Sequence, residues 1–263
     1  MLDNNTEFIA FFDILGYNNL LAANEISTCV TFVKDLLNSL SKELKEGLSE
    51  HYNNDNEKRD QDIDEVIKCF RRVILSDTII FYPARKPDNI KDTIFYYTFF
   101  FLLKIIQQKS FDEGFPLRGC VDYGEFYCGN EPDLFLAGRS IIDCHTESNQ
   151  LEFSGVVLTN NVINKLEEIF VDPNDGSKRD PGWPDYRIRS LICRDVIVSL
   201  KKGESKKHLL KWFDEQTTGN RDLRQYIVDA FYGKGKSVDE KTRQKIDNTE
   251  NILRYFIFAG KTS

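Results

Sequence analysis

The stretch Phe8 to Leu15 (FIAFFDIL) limits the possible folds more than any other part of the chain. It is a nearly continuous apolar run, interrupted only by Asp13 and closed by Gly16. Such a run, short and bounded by a glycine, reads as a buried strand. A strand apolar on both faces needs cover on both faces, which calls for a sheet dressed with helices.

The rest of the chain supplies both. Residues 17 to 48 carry apolar side chains at helical spacing (Leu20, Leu21, Val30, Val33, Leu36, Leu37, Leu40, Leu44). From Lys45 to Glu65 the composition turns polar, which predicts a solvated loop or helix extension. Phe70 to Leu75 and Thr78 to Tyr82 are two apolar runs separated by Ser76-Asp77, the spacing of a tight β-hairpin. Pro83 and Pro87 close the second run. Residues 91 to 109 predict a deeply buried helix, including the aromatic run YYTFFF (96 to 101) as core. Leu117 to Tyr123 and Glu125 to Cys128 flank Gly124 and predict a second hairpin. A helix from Gly138 to about Gln150, a strand at VVLT after Gly155 and a helix from Asn160 to Phe170 follow. The order β-α-β-β-α-β-β-α-β-α is that of a mixed sheet covered by helices, with a ferredoxin-like ββ insertion.

A Pro-, Gly- and Asp-rich segment, 171 to 185, then separates the tail. The tail predicts one strand, Ile188 to Leu200, and helices around 221 to 232 and 239 to 258. The expected division is a catalytic domain over 1–170 and an extension over 171–263 packed on the same domain.

With 35 Lys and Arg against 42 Asp and Glu, the net charge is -7. That balance disfavours nucleic acid or an anionic membrane as partner, and leaves open a small anion held through metal ions. The longest apolar stretch, Thr93 to Ile106, is broken by Lys104 and falls short of the ~20 residues a membrane span needs. The six cysteines show no paired or metal-type spacing and read as reduced thiols. With a start that shows no signal run, the expected location is cytoplasmic.

Two acids stand out by their company. Asp13 ends the apolar strand, and Asp77 sits at the hairpin tip. Singly, each has an ordinary reading as a strand-end or turn acid. Together, a strand end and a neighbouring hairpin tip can share one sheet edge, where two carboxylates make a hard-oxygen site for Mg²⁺ or Mn²⁺. The histidines have no acid or thiol partner by spacing. GKGK (233 to 236) lacks the strand-loop-helix setting of a phosphate loop and reads as linker.

The motifs FFDILGY (11 to 17), LSDTIIFY (75 to 82), LRGCVDYGEFYCG (117 to 129) and GRSIIDCHTE (138 to 147) follow one another as they do in class III nucleotidyl cyclases. The chain resembles that family over residues 7 to 170, and within it the bacterial pyrimidine cyclases of the anti-phage Pycsar systems. The resemblance implies a ferredoxin-like class III cyclase fold of the α/β (α+β) class. It also implies a two-metal reaction in which the 3′-hydroxyl of a nucleoside triphosphate attacks its own α-phosphate and pyrophosphate leaves. Asp13, Asp77 and the carbonyl of Ile14 would hold two Mg²⁺ or Mn²⁺ ions. Phe11 and the segment Ile14, Leu15, Gly16 and Tyr17 would bind the nucleotide, with Gly16 permitting close backbone approach. A homodimer with sites at the interface is implied, as is an infection-triggered product acting on a separate effector.

The departures from the family pattern bear on the substrate. Purine cyclases read the base four residues before the second aspartate and three before the glycine of the fourth motif; here those positions are Val73 and Phe135. Both are apolar, which favours UTP, and CTP next, over a purine. The usual Asn and Arg of the fourth motif are replaced by Ile142 or Asp143 and Thr146 or Glu147, leaving Arg118 and Arg139 as candidates to steady phosphate charge. The alternatives are a purine cyclase and a catalytically silent, nucleotide-binding regulatory module.

Overall fold

The computed structural model describes residues 4–28, 64–84, 92–129, 135–170, 185–214, 221–237 and 239–259, with isolated positions between them. The sheet order is β2-β3-β1-β4-β6-β8-β7, with β5 pairing β4 off this path. The strands are β1 (Asn4–Ile14), β2 (Phe70–Leu75), β3 (Thr78–Pro83), β4 (Leu117–Gly129), β5 (Phe135–Gly138), β6 (Gly155–Leu158), β7 (Ile192–Leu200) and β8 (Gly203–Leu210). The β4–β6 pairing is parallel and the others are antiparallel, so the sheet is mixed. The helices named here are α1 (Tyr17–Ala23), α2 (Asp92–Asp112), α3 (Arg139–Gln150), α4 (Asn160–Phe170), α5 (Asp185–Ser190), α6 (Leu223–Tyr232) and α7 (Glu240–Ala259).

The period of two along β1 decides what each face holds. Phe8, Ala10, Phe12 and Ile14 belong to a core built with α2 and α4, where Phe95, Phe99 and Phe100 are fully buried. Ile9, Phe11 and Leu15 belong to the opposite core, with Cys144 of α3, Tyr226 and Ile227 of α6, and Leu253 of α7. Asp13 shares the parity of this second face, the one the tail helices cover. None of the described helices is long and apolar enough to cross a membrane. No disulfide joins the described cysteines.

Three expectations from sequence are corrected. Gly124 does not turn the chain: β4 runs unbroken from Leu117 to Gly129, and Gly124 pairs with Glu7 of β1. The second hairpin is instead β4–β5, from Phe126↔Gly138 to Gly129↔Phe135. Long pairing to an adjacent strand overrides glycine's weak local preference for a turn. In the tail, Ile188 lies in α5, and the strand is followed by a second one, β8, too polar in its first half to show an apolar pattern. Third, GKGK is not a free linker: Gly233–Gly235 is a 3₁₀ turn, and Lys236 after it is fastened by hydrogen bonds. The polar stretch 45–65 and the segment 171–185 lie outside the described residues except at Glu46, Asp64, Glu65 and Asp185.

β8 pairs β6 and β7 pairs β8, so the tail enters the same sheet as the first 170 residues. Gly119 of β4 pairs with Phe12 of β1. A Cβ there would stand 2.7 Å from the Phe11 carbonyl oxygen and 2.9 Å from the Phe12 ring. Gly119→Ala is expected to cost about 1–3 kcal/mol of stability through this overpacking, read as a lower denaturant midpoint with unchanged slope.

Candidate active site

Two strand ends and one turn build the site. Asp13 is the next-to-last residue of β1 and pairs across to Thr78 on one side and Arg118 on the other. Asp77 occupies the two-residue turn between β2 and β3, whose other member, Ser76, adopts a left-handed φ of 57°. The Ile14 amide donates to the Asp77 carbonyl at 3.0 Å, tying the hairpin tip to the end of β1. This brings the two acids together as the sequence suggested: both border one cavity, and Asp77 raises the Asp13 pKa.

Arg118 holds the pair from the neighbouring strand. Its Nε donates to Asp13 Oδ2 at 2.8 Å and its Nη2 lies 2.6 Å from the same oxygen. Nη2 also donates to Asn149 Oδ1 at 2.8 Å, and Asn149 Nδ2 lies 2.8 Å from His145 Nε2. Burial pushes the Asp13 carboxyl above its ordinary range; Arg118 pulls it down, and Asp77 pushes it up again. Crowding two carboxylates in a half-buried place is unfavourable without a cation, and Arg118 offsets part of that cost.

Both acids border a cavity of about 310 Å³. Ile14, Leu15, Gly16 and Tyr17 form its floor, with Arg118 beside them. Gly16 has a left-handed φ of 76° and starts α1, so it is needed for its backbone shape; a Cβ would have room. Asn18 and Asn19 of α1 also line it, and the rest of the wall comes from the tail: Phe231, Lys236, Ser237, Asp239, Lys241, Thr242 and Lys245. Asp239 caps α7, accepting from the Thr242 amide at 2.8 Å and its hydroxyl at 2.6 Å, and these bonds lower its pKa. Sequence reasoning missed this wall. The cap signal Asp239-x-x-Thr242 was legible, but nothing local connects it to Asp13.

Lys236 fastens the wall. Its Nζ donates to the carbonyls of Gly114 at 2.6 Å and Ala230 at 3.1 Å, while Asn24 Nδ2 donates to the Lys234 carbonyl at 2.8 Å. Burial pulls the Lys236 ammonium down to about 8. A lysine depressed in the folded state and near 10.4 when unfolded makes the unfolded chain bind more protons between those values. Stability relative to Lys236→Met is therefore expected to rise from pH 8 towards pH 10, checked by urea unfolding of both proteins across that range.

The other candidates lie elsewhere. Arg139 opens α3 with its side chain 90% exposed, 3.5 Å from Asp143 and away from the cavity. Phe11 and Val73 are buried in the second core, Phe11 edge-on to His145. Phe135 is 57% exposed on β5 beside Tyr127. None of these three borders the cavity of the single chain. Ile142 is exposed, and Glu147 pairs with Lys207 at 2.7 Å. The α3 side chain that supports the site is Asn149, through Arg118.

Asp13, Asp77 and the Ile14 carbonyl form a small, hard-oxygen donor set. No group of three or more His, Cys, Asp or Glu among the described residues could hold a metal alone. Two carboxylates suit Mg²⁺, which keeps waters and takes substrate phosphates as further ligands. The residues fit such an ion.

No family model matches the chain, and no curated protein matches it. Among solved structures, the chain is similar to the catalytic core of a rhodopsin-guanylyl cyclase with converted specificity in complex with ATPαS. Identity there is 12%, over 80% of this chain and 98% of that one, with a TM-score of 0.45. It is also similar to the guanylate cyclase domain of RhGC from Catenaria anguillulae in complex with GTP (10% identity, 78% and 96% covered, TM-score 0.43). A third is the monomeric guanylyl cyclase domain of the RhoGC fusion protein from the aquatic fungus Blastocladiella emersonii (11%, 80% and 96%, TM-score 0.41). Likeness at this level has no bearing on activity.

Proposed function

We propose that this chain is a nucleotidyl cyclase that closes a nucleoside triphosphate to its 3′,5′-cyclic monophosphate and releases pyrophosphate. The observation that carries the reading is the pairing of Asp13 and Asp77 at the mouth of a cavity whose opposite wall is cationic. In the reaction the substrate 3′-oxygen bonds to the α-phosphorus as its proton departs. The bond from the α-phosphorus to the α–β bridging oxygen breaks, and pyrophosphate leaves with the electron pair.

Asp13, Asp77 and the Ile14 carbonyl would hold two Mg²⁺ or Mn²⁺ ions. When bound, these ions lower the pKa of the attacking hydroxyl and neutralise charge on the leaving phosphates. Leu15, Gly16 and Tyr17 line the cavity, and their backbone amides would bind the phosphates. Arg118, anchored by Asn149, keeps Asp13 in one rotamer and presents charge beside the reacting phosphate. The likeness of the motifs to the pyrimidine cyclases supports a pyrimidine, UTP first and CTP next, and exposed Phe135 offers a base no hydrogen bond, whereas Val73 is buried in the second core. Phe135 and Arg139 project away from the cavity of their own chain, which supports a homodimer in which a second copy completes the site. The likeness of the motifs to Pycsar cyclases supports a role in anti-phage signalling, the cyclic product reaching a separate effector.

Incubating the protein with Mn²⁺ and each of the four ribonucleoside triphosphates, followed by phosphatase treatment and mass analysis, tests the reading. Cyclic UMP or CMP, absent with Asp77→Asn, is expected. Cyclic AMP or GMP would keep the cyclase and overturn the pyrimidine assignment. A silent nucleotide-binding module is the second reading, favoured by the Arg118–Asp13 pair, which balances that acid without a metal. Saturable nucleotide binding with no product from any of the four would establish it instead.

A further inference from the structure

The cavity wall contributed by the tail carries charge that the two aspartates do not match. Of its acids, Asp13 is paired with Arg118, and Asp239 keeps its negative charge while capping α7. That leaves Asp77 and Asp239 to face Lys236, Lys241 and Lys245, with positive charge in excess. Lys236 Nζ is spent on two carbonyls, so its charge is held in place without a counter-ion. Lys245 is half-buried, makes no ion pair among the described residues, and feels Arg118 and Lys201 as like charges, with Glu152 and Asp239 as the opposing ones. Lys241 and Lys245 lie one helical turn apart, at the start of α7, so both can face one ligand. Crowded ammonium groups beside a wet cavity are best satisfied by a polyvalent anion.

We infer that Lys241 and Lys245 of α7 form a polyphosphate-binding subsite, so that the C-terminal helix is part of the substrate site of its own chain. The ligand class is an inorganic or nucleotide-borne di- or triphosphate. Its far end would lie on the lysines and its near end beside Asp13 and Asp77, the acids that would hold a divalent ion. The strap 233–237 fixes this wall: Asn19 Nδ2 donates to the Ser237 carbonyl at 3.2 Å, in addition to the Asn24 and Lys236 bonds. The wall is therefore set before ligand arrives. The inference deepens the cyclase reading and rests on it for the identity of the nucleotide, but polyphosphate binding can be measured without turnover.

The test is calorimetric titration of the full chain with inorganic tripolyphosphate, pyrophosphate and orthophosphate, in Mg²⁺ and in EDTA. The variants are Lys241→Ala/Lys245→Ala and, as control, Lys206→Ala on the exposed side of β8. Alanine is a strong helix former and neither target lysine holds an ion pair among the described residues, so the double variant is expected to fold, as checked by circular dichroism. Tripolyphosphate should bind far better than orthophosphate. The double variant should weaken it by about tenfold or more, in line with loss of charge-assisted hydrogen bonds, while Lys206→Ala should not. Equal affinity in wild type and double variant, or no tripolyphosphate binding by wild type, would overturn the subsite. Lysine-dependent binding without cyclisation of any nucleotide would uphold the subsite and remove the cyclase reading. Cyclisation with unchanged KM in the double variant would do the reverse.

Discussion

Asp13→Asn is expected to lower cyclase turnover by about 100-fold or more, the scale on which loss of a group that stabilises transition-state charge is felt, while leaving the protein folded. Asn keeps the volume of Asp and an oxygen that can accept from Arg118, so the contact at Asp13 Oδ2 survives as a neutral-acceptor bond. What it lacks is the negative charge on which a divalent ion depends. The half-buried setting that raises the Asp13 pKa favours the uncharged side chain, so the variant is expected to be as stable as the wild type or slightly more so. Three measurements check this: the rate of cyclic product formation, the thermal midpoint, and Mn²⁺ binding by electron paramagnetic resonance. A folded Asp13→Asn protein with full activity would remove Asp13 from the site. Loss of activity with a large fall in thermal midpoint would mark Asp13 as structural.

Phe8→Ala is expected to have the largest effect on stability, about 3–5 kcal/mol, the range for a buried Phe truncated to Ala. Phe8 is fully buried where β1 meets α2 and β4. Its ring packs at 4.9 Å from Tyr96, 5.5 Å from Phe100, 6.0 Å from Phe99 and 5.0 Å from Tyr123, measured between centroids. Removing it opens a cavity among rings that are themselves held on three sides, which limits relaxation. Phe8→Leu should recover more than half of the loss. Urea unfolding followed by circular dichroism gives both values; a cost below about 1 kcal/mol for Phe8→Ala would show that the surrounding rings close the gap.

These two residues, five apart on one strand, illustrate what periodicity can convey. Even positions of β1 enter one core and odd positions the other, so Asp13 was bound to face the side opposite Phe8 once the strand was recognised. The Ser76-Asp77 turn was equally legible, because a two-residue hairpin is a local object. YYTFFF was legible as core because residues 96–100 carry their burial in their own composition. Gly124 misled for the converse reason. A glycine within a strand signals a turn only if no neighbour holds the chain straight, and β1 holds it along its whole length.

By itself, then, the sequence determined the strands and helices with a regular apolar period, the mixed helix-covered sheet, and the meeting of Asp13 and Asp77. The periodic elements rest on forces acting within a few residues; the sheet and the meeting of the two acids also needed the likeness of the motifs to a known family, since Asp13 pairs with Thr78 across a long stretch of chain. Only the tertiary structure decided the other half of the cavity. In sequence, Lys241 and Lys245 are two lysines of a polar stretch, indistinguishable from any surface lysine. They acquire meaning because β7 and β8 extend the sheet past β6 and return the chain to the open end of β1. Strand pairing between residues this far apart is set by complementary edges and burial that no local pattern encodes, so the charge it brings to Asp13 and Asp77 could be read only from the folded chain.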